Sequence, residues 1–309
     1  MFFEIIKNPK FNFTGCFKIT SIISLLLVVG SIWLAATKMQ YGVDFRGGAE
    51  LQIKFSETMG LEGVRDALTQ SGFGNAVVQS IGDAEENEYL VKVSGDESNL
   101  NAVTDEGTAA LTAKFSADKM EIRKVDIVGP KAGAQLRLSG FQAMFWALMA
   151  IMIYVALRFE FKYAPGAIVA TFHDVSIVLG IYAFTGTEFT LQTVAAVLAV
   201  IGYSVNDTVV IYDRVREHEN MDARTLPQVI NEALNETLSR TLLTSATTLF
   251  VALTMFYAGG PAVHDFFLAM TVGVVVGSYS SLFVAAPVAL FFDRMGSKSK
   301  SASSTRAQA

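Results

Sequence analysis

Uncharged apolar residues run in long blocks along this chain, and the polar residues are gathered between them. Ile19 to Ala36 holds no charge over 18 residues, and Leu138 to Leu157 is a 20-residue run. Ala164 to Thr185 is broken only by His173 and Asp174, and Thr190 to Tyr212 only by Asp207. Thr241 to Tyr257 and Phe266 to Phe292 are uncharged. A bilayer core of about 30 Å takes roughly 20 helical residues. The pattern therefore predicts six spanning helices, at 19–36, 138–157, 164–185, 190–212, 241–257 and 266–292. The competing reading is a large soluble protein with six buried helices, which departs from the amphipathic stripe of globular helices. Leu34-Ala35-Ala36 faintly resembles a signal-peptide cleavage site. The first run, however, exceeds an apolar signal region of about 7–15 residues, so it reads as a retained anchor.

Between the first two spans, over 38–137, the hydrophobic period changes. Leu51, Ile53 and Phe55 alternate along a strand at Glu50 to Phe55. Leu61 to Gln70 has a helical period and stops at Ser71-Gly72. Ala76 to Ile81 and Glu88 to Val93 read as strands, and Asn99 to Phe115 as a helix. Met120 to Val128 alternates through Ile122, Val125 and Ile127 with one slip. The order β-α-β-β-α-β predicts a ferredoxin-like α+β domain, set into a six-helix membrane protein.

Composition narrows the class. Hydrophobic residues make up 51 % and charged residues 17 % of 309, with a mean hydropathy of +0.40, against about 25 % charged in soluble domains. The net charge of −5 and pI of about 5.3 argue against a nucleic-acid partner. Cys16 stands alone and the three histidines are scattered, so neither a disulfide framework nor a metal site is expected. No phosphate-binding Gly-Lys-Ser/Thr loop is present, which favours an ion gradient over ATP as energy source. No nucleophile–base pair stands out, so the chain does not read as an enzyme.

Basic residues set the orientation. Outside 38–137 there are 13 Lys and Arg, and six alternating spans put all of them on one side. They are Lys7, Lys10 and Lys18 in residues 1–18, Arg158 and Lys162 after the second span, Arg214, Arg216, Arg224 and Arg240 in 213–240, and Arg294, Lys298, Lys300 and Arg306 in 293–309. The positive-inside rule makes that side cytoplasmic. The domain at 38–137, with 11 basic and 16 acidic residues, is then periplasmic, since long loops escape the rule. The tail at 293–309 is expected to be disordered. An impermeant maleimide should label an Asp96→Cys variant in intact cells and a His218→Cys variant only after lysis. The reverse pattern would overturn the orientation.

Charges inside the spans are the candidate chemistry. Asp207 lies in Gly202-Tyr203-Ser204-Val205-Asn206-Asp207-Thr208, and an ionised aspartate at such depth costs about 3 kcal/mol. It is expected to face the bundle interior and to meet a partner. Arg240 opens the fifth span and is available there, although ordinary snorkelling also accounts for it. His173 and Asp174 sit in the middle of the third span; bonding to interhelical hydroxyls is their plainer reading. Thr225-Leu226-Pro227-Gln228 has the form of a capping box. Ile230, Leu234 and Leu238 after it form an apolar stripe, expected to lie on the membrane surface. Ala195, Ala199 and Gly202, with the Gly273-to-Gly277 GxxxG pattern, are expected at close helix contacts. Gly42, Asp44, Gly47 and Gly48 before the domain, and Gly129 and Pro130 after it, read either as punctuation or as a built turn poorly tolerant of a β-branched side chain.

Several of these motifs carry a resemblance. Gly42-Val43-Asp44-Phe45-x-Gly-Gly, Val128-Gly129-Pro130, Arg158-Phe159-Glu160, His173-Asp174-Val175, Gly202 to Asp207 and Ser239-Arg240-Thr241-Leu242 occur in the order found in the SecF family of the bacterial SecDF complex. One span, a large outside domain and five further spans also resemble half of a resistance-nodulation-division (RND) transporter. The resemblance covers about residue 40 to residue 292. It implies a SecD partner completing a pseudo-symmetric twelve-helix unit in the bacterial inner membrane. It also implies use of the proton-motive force to help exported, unfolded polypeptides leave the SecYEG channel, alongside accessory subunits such as YajC. It assigns a proton-relay role to Asp207 and Arg240, with Asn206, Asp174 and His173 as secondary candidates. No cofactor is implied beyond the proton gradient. Half of an RND-type proton-coupled small-molecule exporter is the alternative, and it requires a lipophilic cleft in the outside domain.

Overall fold

Asn12 opens the first helix by accepting the Gly15 amide at 3.0 Å on its side chain. That cap lets α1 start at Phe13 and run to Lys38, six residues ahead of the uncharged block. A computed structural model describes residues 9–57, 60–70, 76–81, 87–93, 109, 111–112, 119–159, 163–221 and 225–295. After α1 come β1 (Gln40–Tyr41), a one-turn helix α2 (Val43–Arg46) and β2 (Gly48–Phe55). Then follow α3 (Leu61–Gln70), β3 (Val77–Ile81), β4 (Glu88–Val93) and β5 (Met120–Val128). The rest is helical apart from β6 (Glu188–Phe189): α4 (Pro130–Arg158), α5 (Ala164–Thr185), α6 (Leu191–Met221), α7 (Leu226–Ala258) and α8 (Pro261–Ser280). α8 passes through a π-helical turn, Ser281–Ala285, and continues to Met295. Six helices, α1 and α4 to α8, are long and apolar enough to cross a membrane.

The four longer strands pair in the order β3-β4-β2-β5, all antiparallel, which is the order of the split βαβ sandwich. Leu51, Ile53, Phe55, Val78, Tyr89, Val91 and Val93 bury one face against Val64, Ala67 and Leu68 of α3. Of the helix expected over 99–115, only Ala109, Leu111 and Thr112 are described, and Leu111 joins this core. The stop at Ser71-Gly72, residues Glu160, Lys162 and Arg224, and the tail beyond Met295 lie outside the described residues. The slip in β5 is a bulge. Gln52 pairs with Lys124 and Ile53 with Ile122, which leaves Arg123 as the extra residue. Ile122, Val125 and Ile127 are nonetheless exposed, because β5 is the outermost strand of the sheet.

Two expectations about packing are corrected. The stripe Ile230, Leu234 and Leu238 does not lie on a membrane surface. α7 runs without a break from Leu226 to Ala258, and the stripe is buried with Phe13, Tyr212 and Val215 in the core at the termini end. The expected cap is present, with the Gln228 side chain accepting the Thr225 amide at 3.1 Å. The physical reason for the burial is the length of α6, which continues past the apolar block and gives α7 a protein face to pack on. Ala195, Ala199 and Gly202 are exposed rather than inside the bundle, and no atom lies within 4 Å of a Cβ built at Gly202. The close contact is made by the GxxxG glycines instead: a Cβ at Gly273 would lie 2.3 Å from Val200, and one at Gly277 would lie 3.1 Å from Ser204.

α1 is the least covered span, with Leu25, Leu26 and Trp33 exposed. It is held where Ser31 crosses Gly180 of α5 and where Ser24 meets the Tyr279 hydroxyl at 3.0 Å. Before it, the N-terminal segment is clasped by α7. The Phe11 and Phe13 amides each donate at 2.8 Å to the side chains of Asn235 and Asn231, and Asn235 returns a bond to the Phe11 carbonyl at 2.9 Å.

Candidate functional site

α6 is the axis of the site. Its first amide, Leu191 N–H, donates to the Asp44 carboxylate at 3.0 Å, so an acidic side chain from the Gly42–Gly48 turn sits at the positive end of the helix dipole. The same turn is tied twice more to the segment before α6. The Gly42 amide donates to the Phe189 carbonyl at 3.0 Å, and β1 and β6 pair in parallel, Gln40 with Glu188 and Tyr41 with Phe189. Glu188 in turn holds Lys92 of the domain sheet at 2.8 Å, and both are largely buried. Gly47 and Gly48 have φ of 83° and 148°, where a side chain is strained. A Cβ on Gly47 would lie 2.7 Å from Pro130 Cα, the first residue of α4, and one on Gly133 would meet the Gly47 amide at 3.0 Å. The turn is thus a built joint between the domain, α4 and α6. A Gly47→Val variant should insert in the membrane as wild type does and lose most export activity. Wild-type export in a pulse-chase assay would reduce the turn to punctuation.

Thirteen residues along α6, Ser204 meets a carboxylate that is closed off from water. Asp174 of α5 is completely buried. One of its oxygens accepts from Ser204 Oγ at 2.5 Å and from Ser280 Oγ of α8 at 2.7 Å. The other bonds the Nδ1 of its neighbour His173 at 2.9 Å. Thr208 and Ser281 extend the cluster, their hydroxyls 2.9 Å apart. The His173 ring stacks on Tyr279 with centroids 5.9 Å apart, and its Nε2 is buried without a hydrogen-bond partner. Asp174 thereby joins three helices through three hydrogen bonds.

Asp207 follows one turn after Ser204 and is also buried. Its surroundings differ. Ser245 of α7 lies beside it and Arg240 is within electrostatic reach, but one carboxylate oxygen has no hydrogen-bond partner. Ser245 is already engaged with Ser278 at 2.6 Å and with the Tyr203 hydroxyl at 3.3 Å. The expected direct contact with Arg240 is not formed: among the described residues no ion pair joins the two. Arg240 is exposed, because its position on α7 turns the guanidinium into an open cleft of about 520 Å³. That cleft is also lined by Arg158, Asp213, Arg214, Glu217 and Glu236, and it opens at the termini end of the bundle. Asn206 is exposed, next to Gly202 on the uncovered face of α6. The arrangement puts a buried, incompletely bonded carboxyl between a dry hydroxyl cluster and a charged, open cleft. No group of three or more metal-ligating side chains occurs among the described residues.

Of the residues singled out from the sequence, Asp174 and His173 are together, Asp207 and Arg240 are near but unpaired, and Asn206 faces away. Interhelical hydroxyls do bond Asp174, as its plainer reading has it, but the sequence did not mark Ser204 and Ser280 as the pair. Ser204 stood in plain view in the Asp207 motif, but Ser280 lies 106 residues from Asp174 in the chain, and no local pattern links them.

Comparison with known proteins places the chain in a family. Residues 108–295 match the family described as "Protein export membrane protein SecD/SecF, C-terminal", and residues 32–59 match "SecD/SecF GG Motif". A protein translocase subunit SecF from Magnetococcus marinus is 42 % identical over 303 residues, covering 97 % of both chains. One from Vibrio alginolyticus is 37 % identical over 291 residues, 93 % of this chain and 92 % of that one. The crystal structure of SecDF, a translocon-associated membrane protein from Thermus thermophilus, superposes with a TM-score of 0.77 at 32 % identity. That match covers 93 % of this chain and 39 % of the SecDF chain. A SecDF structure in a super-membrane-facing form gives a TM-score of 0.71 at 33 % identity, over 96 % and 40 % of the two chains. This multi-pass membrane chain belongs to the SecF family of protein translocase subunits.

Proposed function

We propose that this chain pairs with a SecD-type partner in the bacterial inner membrane, with both of its termini in the cytoplasm. The pair uses the proton-motive force to help exported, unfolded polypeptides leave the SecYEG channel, with YajC as a further associated subunit. The observation that carries the reading is Asp207, a membrane-buried carboxyl with one unbonded oxygen, on the helix whose other end is capped by Asp44 of the domain turn. A proton bound or lost at Asp207 changes the charge inside the bundle. α6, the Asp44 cap and the Lys92–Glu188 pair give that change a continuous route to the periplasmic domain. One proton crossing 100 mV releases about 2.3 kcal/mol, enough to bias a domain equilibrium of a few kcal/mol. The chain spans about two fifths of the SecDF chain it resembles, which agrees with a second, partner half. No cofactor enters this reading.

The test is release of an exported substrate from membrane vesicles holding the translocon, this chain and its SecD-type partner. An imposed proton gradient should speed release, and a protonophore should remove the gain only where both chains are present. Equal release with and without the gradient would leave this chain a structural subunit.

A further inference from the structure

At the domain end of the bundle, α1, α4 and α5 enclose an open groove of about 380 Å³. Ile32, Ala36 and Met39 form one wall, Phe141 another, and Phe172 and Leu179 the third. The lining is almost wholly apolar. Its one aliphatic hydroxyl, on Ser176, is turned back onto the Phe172 carbonyl at 2.7 Å. Phe141 and Phe172 are about half exposed, so the groove opens sideways toward lipid. From Ile32 to Met39 it follows seven residues of α1, about 10 Å, or two-thirds of the roughly 15 Å of one leaflet.

Apolar walls alone select nothing in a bilayer, because acyl chains are as apolar as leucine. The rim supplies the selection. Arg137 precedes Phe141 by one turn of α4, and its guanidinium lies 5.4 Å from the ring centroid of Tyr41, which itself lines the groove. Lys38 ends α1 beside Met39. Neither cation is in an ion pair among the described residues. The nearby acids are engaged elsewhere, Glu188 by Lys92 and Asp44 by the Leu191 amide. One uncompensated guanidinium, Arg137, therefore stands over Tyr41 at the rim of a slot for a hydrocarbon chain.

We propose that this groove holds one acyl chain of an anionic phospholipid from the leaflet on the domain side, with its phosphate on Arg137. A free phosphate would use the cation and leave the slot without purpose, whereas a phospholipid fills both. The interaction stacks a planar, weakly hydrated guanidinium between an aromatic ring and a phosphate. Bound there, the lipid would wedge α1 against α4 and α5 just below the joint at Gly47.

The chain has two tryptophans; Trp33 is exposed and one residue from the lining Ile32, close enough for a bromine on a lipid held in the groove to quench it. The full chain carrying Trp146→Phe is placed in phosphatidylcholine vesicles doped with either brominated phosphatidylglycerol or brominated phosphatidylcholine at equal mole fraction. Brominated phosphatidylglycerol should quench Trp33 at a mole fraction about fivefold lower, the enrichment one basic residue gives near a membrane surface. Arg137→Gln should remove most of that preference and leave quenching by phosphatidylcholine unchanged. In the chain that keeps Arg137, high salt should remove the preference as well, a readout that needs no second variant. Inorganic phosphate at moderate concentration should not compete. Equal quenching by the two lipids overturns the proposal, as does a preference that survives Arg137→Gln. Absence of quenching by either lipid, which means that protein covers the groove, overturns it too.

Discussion

Replacing Asp207 by Asn should leave this chain assembled with its SecD-type partner and abolish the gain in export produced by a proton gradient. Asn matches Asp in shape and keeps a hydrogen-bonding side chain beside Ser245, so the helix packing around it is retained. What it lacks is ionisation. If the gradient acts through a proton on this carboxyl, gradient-stimulated release in vesicles falls to the level seen with the gradient collapsed, while release driven without it is unaffected. Arg240→Gln should give a milder version. The guanidinium is in the cleft and acts on Asp207 through space, so its loss changes how readily the proton leaves rather than whether a site exists. Wild-type stimulation in Asp207→Asn would remove the residue from the mechanism and shift attention to His173 and Asp174.

Asp174→Ala should produce the largest stability loss of any single substitution in the bundle, about 3 kcal/mol. A lone interhelical hydrogen bond in a membrane averages only about 0.6 kcal/mol. Asp174 makes three, to groups on its own helix and on α6 and α8. Its loss also strands the Ser204 hydroxyl and an imidazole, at about 1–3 kcal/mol for each group that finds no new partner, while Ser280 keeps its bond to the Gly277 carbonyl at 3.1 Å. Asp174→Asn should cost less, because the amide still accepts at one atom and donates at the other, and one serine can turn its hydroxyl to suit. Thermal unfolding in detergent, followed by circular dichroism, gives the order wild type, Asn, Ala. An Ala variant as stable as wild type would mean that the hydroxyl cluster rearranges without loss.

The spanning helices and the sheet were legible for the same reason: each rests on a short-range period, and period survives in one sequence without any partner. Glu88–Val93 and Met120–Val128 have the bounds their alternation predicts, and even the slip in β5 is a real bulge. What was not legible is whatever depends on facing. Ala195, Ala199 and Gly202 are small, but smallness does not say which helix approaches, and in this chain none does. The stripe on α7 is equally suited to lipid headgroups and to a neighbouring helix; the extension of α6 decides for the helix, and nothing in residues 226–240 records that. Asp44 was visible as part of a glycine-rich turn, but its bond to Leu191 joins positions 147 residues apart. Asp207 was found because a charge in an apolar run is conspicuous. Its missing ion pair with Arg240 was not, since the direction of a side chain depends on the phase of its own helix, and α7 takes its phase from a separate start at Leu226.

The clasp on the N-terminal segment has a consequence for how the protein is made. Phe11 is bonded to Asn235, a residue synthesised 224 positions later. At about 5–20 residues per second, α1 waits on the order of 10–45 s in the bilayer before its anchor emerges from the ribosome. Once α5 is made, the crossing of Ser31 and Gly180 holds the middle of α1, but its N-terminal end stays unclasped until Asn231 and Asn235 arrive. A nascent chain stopped before residue 226 should therefore keep α1 against α5 and leave the segment before Phe13 open to protease.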